Sequence, residues 1–218
     1  MDRNIVRFGG ISGLLFLILF IPSFLSPPDQ PSAAASPQQM TEFLTNNQSQ
    51  IITLNGVLLI AAGFFFLWFL GILHGRLQRS EADAFGLASV ALAGGLLYLA
   101  VMLAGAAVEI VHPAAQAAFP HFQRDAQLAY LSQALSAWLY RFAFVGMSAM
   151  IAAASLGALT TGILPKWLGW FGLVCAAVAL LRFFGTAGGW LSLAWIAIVS
   201  VLMLLGAFGR QSAAQTRS

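Results

Sequence analysis

The chain has 218 residues, 60% of them hydrophobic and only 8% charged, with a formal net charge of +3. A water-soluble fold keeps roughly a quarter of its residues charged, so a mean hydropathy of +0.85 places much of this chain against lipid. The composition also excludes a nucleic-acid module, which would need basic residues clustered on one surface, and the single cysteine, Cys175, excludes an intramolecular disulfide and a cysteine-based metal site.

Six apolar runs approach the ~20 residues that a helix needs to cross a ~30 Å hydrocarbon core: 8–25, 51–73, 86–111, 137–160, 168–186 and 189–208. The first follows Arg3 and Arg7. Those two would also serve as the basic start of a signal peptide, with Ser32-Ala33-Ala34-Ala35 as a cleavage-like segment. The run is long for a leader, so it is read as a retained crossing. Ser26-Pro27-Pro28-Asp29-Gln30-Pro31 cannot be helical, because proline removes backbone donors and fixes φ. A helix over 36–47 then starts at Ser36, with Pro37 at its first position and Gln39 completing a capping box. Met40, Phe43 and Leu44 give it one apolar face, suited to the outer interface or to capping the bundle. It is expected to run on through Asn46-Asn47-Gln48 into the second crossing, which carries Asn55 near its outer end.

His74 to Asp83 is a short solvated loop of the kind that flanks a crossing. The third crossing carries Gly86, Gly94, Gly95 and Gly105, small residues that let helices approach closely in lipid. It closes on Glu109 and His112, which share a helical face, and Pro113 is expected to end it. His121 and Asp125 follow in the second external loop. Glu109, His112, His121 and Asp125 are ligand types that suit zinc, manganese or iron. A second Glu-x-x-His pair, which a carboxylate-bridged di-metal site requires, is missing. The plainer reading is a set of polar residues in a wet loop.

Gln127, Tyr130 and Gln133 lead into the fourth crossing along one face. Tyr140 and Arg141 lie inside it. A charge within a crossing must face the bundle, pair or snorkel. Glu109 sits at similar depth on the preceding antiparallel helix, so an ion pair with Arg141 is expected. Cys175, within the fifth run, reads as a small packing residue. Arg182 falls near that run's outer end, and Gly188-Gly189 is expected to break the chain before the sixth. Phe8-Gly9, Phe85-Gly86 and Phe171-Gly172 open alternate helices, a weak repeat that chance explains equally well in so Gly- and Phe-rich a chain.

Leu164-Pro165-Lys166-Trp167-Leu168-Gly169-Trp170 is the most distinctive motif, with proline ending a helix and tryptophans at headgroup level. Together with Phe8-Gly9-Gly10-Ile11-Ser12-Gly13 and Phe66-Leu67-Trp68-Phe69-Leu70-Gly71, it resembles a group of uncharacterised bacterial six-helix membrane proteins. The resemblance covers nearly the whole chain and implies the fold. The group has no assigned activity, so no functional residues carry over from it.

With six crossings and both termini on one side, that side holds Arg3, Arg7, Arg76, Arg79, Lys166, Arg210 and Arg217, and the other holds Arg124, Arg141 and Arg182. The positive-inside rule makes the first side cytoplasmic. The expected fold is therefore an all-α six-helix membrane bundle, a single domain in the bacterial cytoplasmic membrane. A polar collar of Asn55, Glu109, His112, Tyr130, Gln133, Tyr140, Arg141 and Arg182 is expected at its outer mouth. Such a collar either staples helices or binds a ligand. Its two arginines favour an anionic head group over an apolar floor from Phe64 to Phe69, and a bound membrane lipid is the expected occupant.

No nucleotide loop, nucleophile elbow or zincin helix is present, and no cofactor is implied. The leading function is a non-enzymatic membrane protein that binds a lipid-like or anionic amphipathic molecule, or a partner membrane protein (a second copy included), on the outer-leaflet side. The alternatives are a small transporter or its substrate-binding component, and a metal-dependent membrane enzyme.

Overall fold

In a computed structural model, residues 2–25, 31, 35–79, 86–119, 121–122, 125–181 and 187–206 are described. Every described element is helical: α1 (Arg3–Leu25), α2 (Pro37–Asn46), α3 (Gln48–Gln78), α4 (Leu87–Ala118), α5 (Ala126–Thr161), α6 (Lys166–Leu180) and α7 (Ala187–Leu205). Among the described residues, α1, α3, α4, α5 and α7 are long and apolar enough to cross a membrane. α6 is as apolar, but its 15 residues reach about 22 Å, short of a ~30 Å core. The expected extension of that run to residue 186 leads into residues outside the described ones.

The six longer helices pack in chain order, α1 on α3, α3 on α4, α4 on α5, α5 on α6 and α6 on α7, and α7 closes back onto α1. The α4–α5 pair makes by far the most extensive contact. Its cause is two glycines facing each other. A Cβ at Gly94 would lie 2.7 Å from the Met150 nitrogen, and one at Gly146 would lie 2.5 Å from the Gly94 oxygen and the Tyr98 nitrogen. The backbones therefore touch, the contact that small residues permit in lipid. Aromatic rings cross the centre from Phe16 to Phe66 (4.9 Å), Phe66 to Tyr98 (5.7 Å) and Tyr98 to Phe144 (5.9 Å), joining four helices.

The short helix α2 forms as expected at its start. The Ser36 hydroxyl accepts from the Gln39 nitrogen and the Gln39 side chain accepts from the Ser36 nitrogen. It does not run on into the second crossing. At Asn47 (φ −107°, ψ 16°) the chain leaves helical geometry, its side-chain amide and its backbone N–H both donate to the Phe43 carbonyl, and α3 starts afresh at Gln48. The break lets α2 fold over the bundle. Met40, Phe43 and Leu44 pack with Ile51 and Ala129 against Ile110 and Tyr130, so α2 caps the α4–α5 end.

Two proline expectations need correction. Pro113 does not end α4, which continues to Ala118, and Pro165 does not end α5. α5 stops at Gly162, whose φ of 68° suits a residue without Cβ, and Pro165 instead precedes α6. Gly188 and Gly189 also differ from expectation. They lie inside the first turn of α7, where Gly188 backs onto Ala179 and Gly189 onto Phe24, and the connection before them lies outside the described residues.

Candidate functional site

Of the expected collar, Glu109, Gln133 and Tyr140 meet near the end of α4 and α5 that α2 covers, and the geometry there begins with Pro113. A helical proline has no N–H for the carbonyl four residues back, which here is Glu109. The Gln133 side-chain amide of α5 reaches that carbonyl at 3.5 Å. The Pro113 carbonyl accepts from the Gln48 side chain of α3 at 2.8 Å. The helix can therefore pass through its proline, because neighbouring helices bond the carbonyls there.

One turn below Glu109 on the same face, Gly105 leaves room for the ring of Tyr140. That ring lies across the glycine and its hydroxyl donates to Glu109 Oε2 at 2.6 Å. Ser136, one turn along α5, faces both groups. Glu109 is 7% exposed and is the one buried carboxylate among the described residues. His112, on the same face of α4, is 2% exposed, and its ring meets Phe122 edge-on at 5.4 Å.

Asn55 is buried in α3 within a wide π-helical stretch, Ile52–Leu58. The Ser23 hydroxyl of α1 donates to the Leu54 carbonyl there at 2.7 Å. Stretches of π geometry recur at functional sites, because they turn a side chain inward that a regular helix would place elsewhere. Nothing in the local sequence signals this one.

The expected ion pair is not formed. Arg141 is exposed, and its guanidinium lies 4.8 Å from the centroid of the Trp138 ring. No salt bridge joins it to Glu109 among the described residues, because Tyr140, and not Arg141, turns toward α4. The expected metal ligands do not gather either. Among the described residues no three His, Cys, Asp or Glu side chains could share an ion. His121 is exposed, and Asp125 caps α5 by accepting from the Gln127 and Leu128 nitrogens at 2.8 and 3.2 Å. Arg182 lies outside the described residues.

The floor expected from Phe64 to Phe69 does not line this site. Phe66 and Phe69 are in the core, while Phe64, Leu67 and Trp68 face outward and, with Gly71 and the buried Ile72, line a groove of about 470 Å³. A second polar set lies within the apolar helices and has no part in the expected collar. Ser12, Ser148, Ser155, Ser200 and the Trp195 indole nitrogen are buried and make no hydrogen bond among the described residues. The signal for two of them was serine opposite glycine across helices, as with Ser155 and Gly172, and Ser200 and Gly13.

The fold and the site define a multi-span helical membrane protein with a buried carboxylate–phenol pair under an amphipathic cap. Comparison with protein-family models, curated proteins and solved structures finds no match.

Proposed function

We propose that this chain is a six-span, non-enzymatic protein of the bacterial cytoplasmic membrane, with both termini on the cytoplasmic side, that docks a partner membrane protein at its outer end. One observation carries the reading. α4 and α5 have 32 and 36 residues, about 48 and 54 Å, against a ~30 Å core. About 20 residues up from Thr161, the level of the outer boundary falls near Arg141. Arg141 stacked on Trp138 suits that boundary, where amphipathic rings and long basic side chains settle. Leu128, Leu131 and Leu135 lie farther out on the same helix, exposed by 49, 64 and 50% and spaced along one face. Lipid chains do not reach that height, so another apolar surface covers the row.

The test places a photoreactive residue at Leu131 in cells. A discrete protein adduct is expected, and it should vanish when Leu128 and Leu135 are both changed to Glu. A second copy of the chain would count as the partner. No adduct, or one that survives both changes, would sink the reading. Lipid-only adducts would favour the second reading, an anionic amphipathic molecule with its head group on Arg141 and its chain along Trp138, Phe142 and Val145.

The six-span threading carries its own prediction. Cysteines placed at Ser32 and Gln116 should react with an impermeant thiol reagent in intact cells, and cysteines at Gln78 and Ser212 only after permeabilisation. Reaction at Gln78 in intact cells would overturn the threading.

A further inference from the structure

The groove on the outward side of α3 is built by an absence of side chains. Its walls are Phe64, Leu67, Trp68 and Ile72, and its floor is Gly71. Phe8 of α1 closes one side, its ring 5.6 Å from that of Trp68. A Cβ added at Gly71, or at Gly75 one turn on, would meet nothing within 4 Å. The groove face therefore continues from Phe64 through Trp68, Gly71 and Gly75 to exposed Arg79, at helical spacing. Arg76 lies beside Arg79, close enough for their charges to interact. α1 begins at this same end of the bundle with exposed Arg3 and Arg7, and Asp2 is the one acidic residue described there.

We propose that this groove holds one acyl chain of an anionic phospholipid from the cytoplasmic leaflet, with the phosphate at the arginines where the groove ends. The shape suits a chain. The cleft is apolar, walled by aromatic rings and open along its length toward lipid. The charge suits the head group, since Arg76 and Arg79 follow the groove on α3 and exposed Arg3 and Arg7 begin α1 at the same end of the bundle. The placement in the cytoplasmic leaflet rests on the proposed threading, which cysteine labelling tests separately.

Gly71 offers a clean intervention. A Cβ there meets nothing within 4 Å, so a leucine can extend into the open groove and fill its floor, and it would remove a glycine from a helix interior, so the fold should hold. The experiment is native mass spectrometry of the detergent-purified full chain titrated with phosphatidylglycerol or phosphatidylcholine of equal chain length. Wild type should retain phosphatidylglycerol preferentially. Gly71→Leu should lose both lipids with an unchanged melting temperature, whereas Gly71→Ala should keep most of the retention. Arg79→Gln should lower phosphatidylglycerol retention about fivefold and leave phosphatidylcholine unchanged, the effect of one interfacial charge. Equal retention by wild type and Gly71→Leu would overturn the site. Equal retention of the two lipids by wild type would overturn the head-group assignment. A dimer that Gly71→Leu converts to monomer would replace the lipid with a second copy.

Discussion

Gly146→Ala should destabilise the bundle by about 3 kcal/mol or more, although alanine is the better helix former by about 1 kcal/mol. The two effects have opposite signs, so the result decides between them. Overpacking a core usually costs about 1–3 kcal/mol because side chains move aside. Here the added Cβ meets the Gly94 oxygen and the Tyr98 nitrogen at 2.5 Å, and backbone does not move aside. Relief requires α4 and α5 to separate, which loosens the most extensive contact in the molecule and the Tyr98–Phe144 ring contact beside it. Gly71→Ala is the matched control, since its Cβ meets nothing within 4 Å and the propensity gain stands alone. Reversible denaturation in mixed micelles should show Gly146→Ala far below wild type and Gly71→Ala at or above it. If both variants behaved alike, direct backbone contact between α4 and α5 would be wrong.

Depth was legible in the sequence, and azimuth was not. Apolar runs located every long helix, because the bilayer sets a length that a run must reach. The capping box at Ser36 was legible because it is local, with partners only three residues apart. Glu109 and residues 140–141 were placed at one level correctly, since consecutive antiparallel helices must return through the same depths. Tyr140 and Arg141, however, differ by about 100° around α5, and which of them turns to α4 depends on Gly105, on the other helix. The helix end misread at Pro113 has a similar origin. A carbonyl released by proline normally ends a helix, but the Gln133 amide bonds this one from 24 positions away. Asp125 read as a metal ligand because its alternative role, capping α5, depends on a helix start that apolarity did not mark.

Tyr140→Phe and Glu109→Leu should each destabilise the bundle by about 1.5–3 kcal/mol, and together by clearly less than their sum. Tyr140→Phe leaves the 7%-exposed Glu109 carboxylate without the hydroxyl that bonds it at 2.6 Å. Glu109→Leu leaves that hydroxyl half-buried beside an apolar chain. Changing both removes donor and acceptor together, and apolar groups of similar shape then fill the space where the Glu109 carboxylate was buried. The Gln133 bond should survive throughout, since it goes to the Glu109 backbone oxygen. The coupling, read from a double-mutant cycle in mixed micelles, should therefore be about 1.5 kcal/mol or more. Arg141→Leu supplies the contrast. Its side chain is exposed over Trp138, so the change alone should cost under about 1 kcal/mol and show no coupling to Glu109→Leu. Strong coupling of Glu109 to Arg141, with additivity toward Tyr140, would mean that α5 is rotated by one residue from the arrangement described and that an ion pair staples α4 to α5 after all.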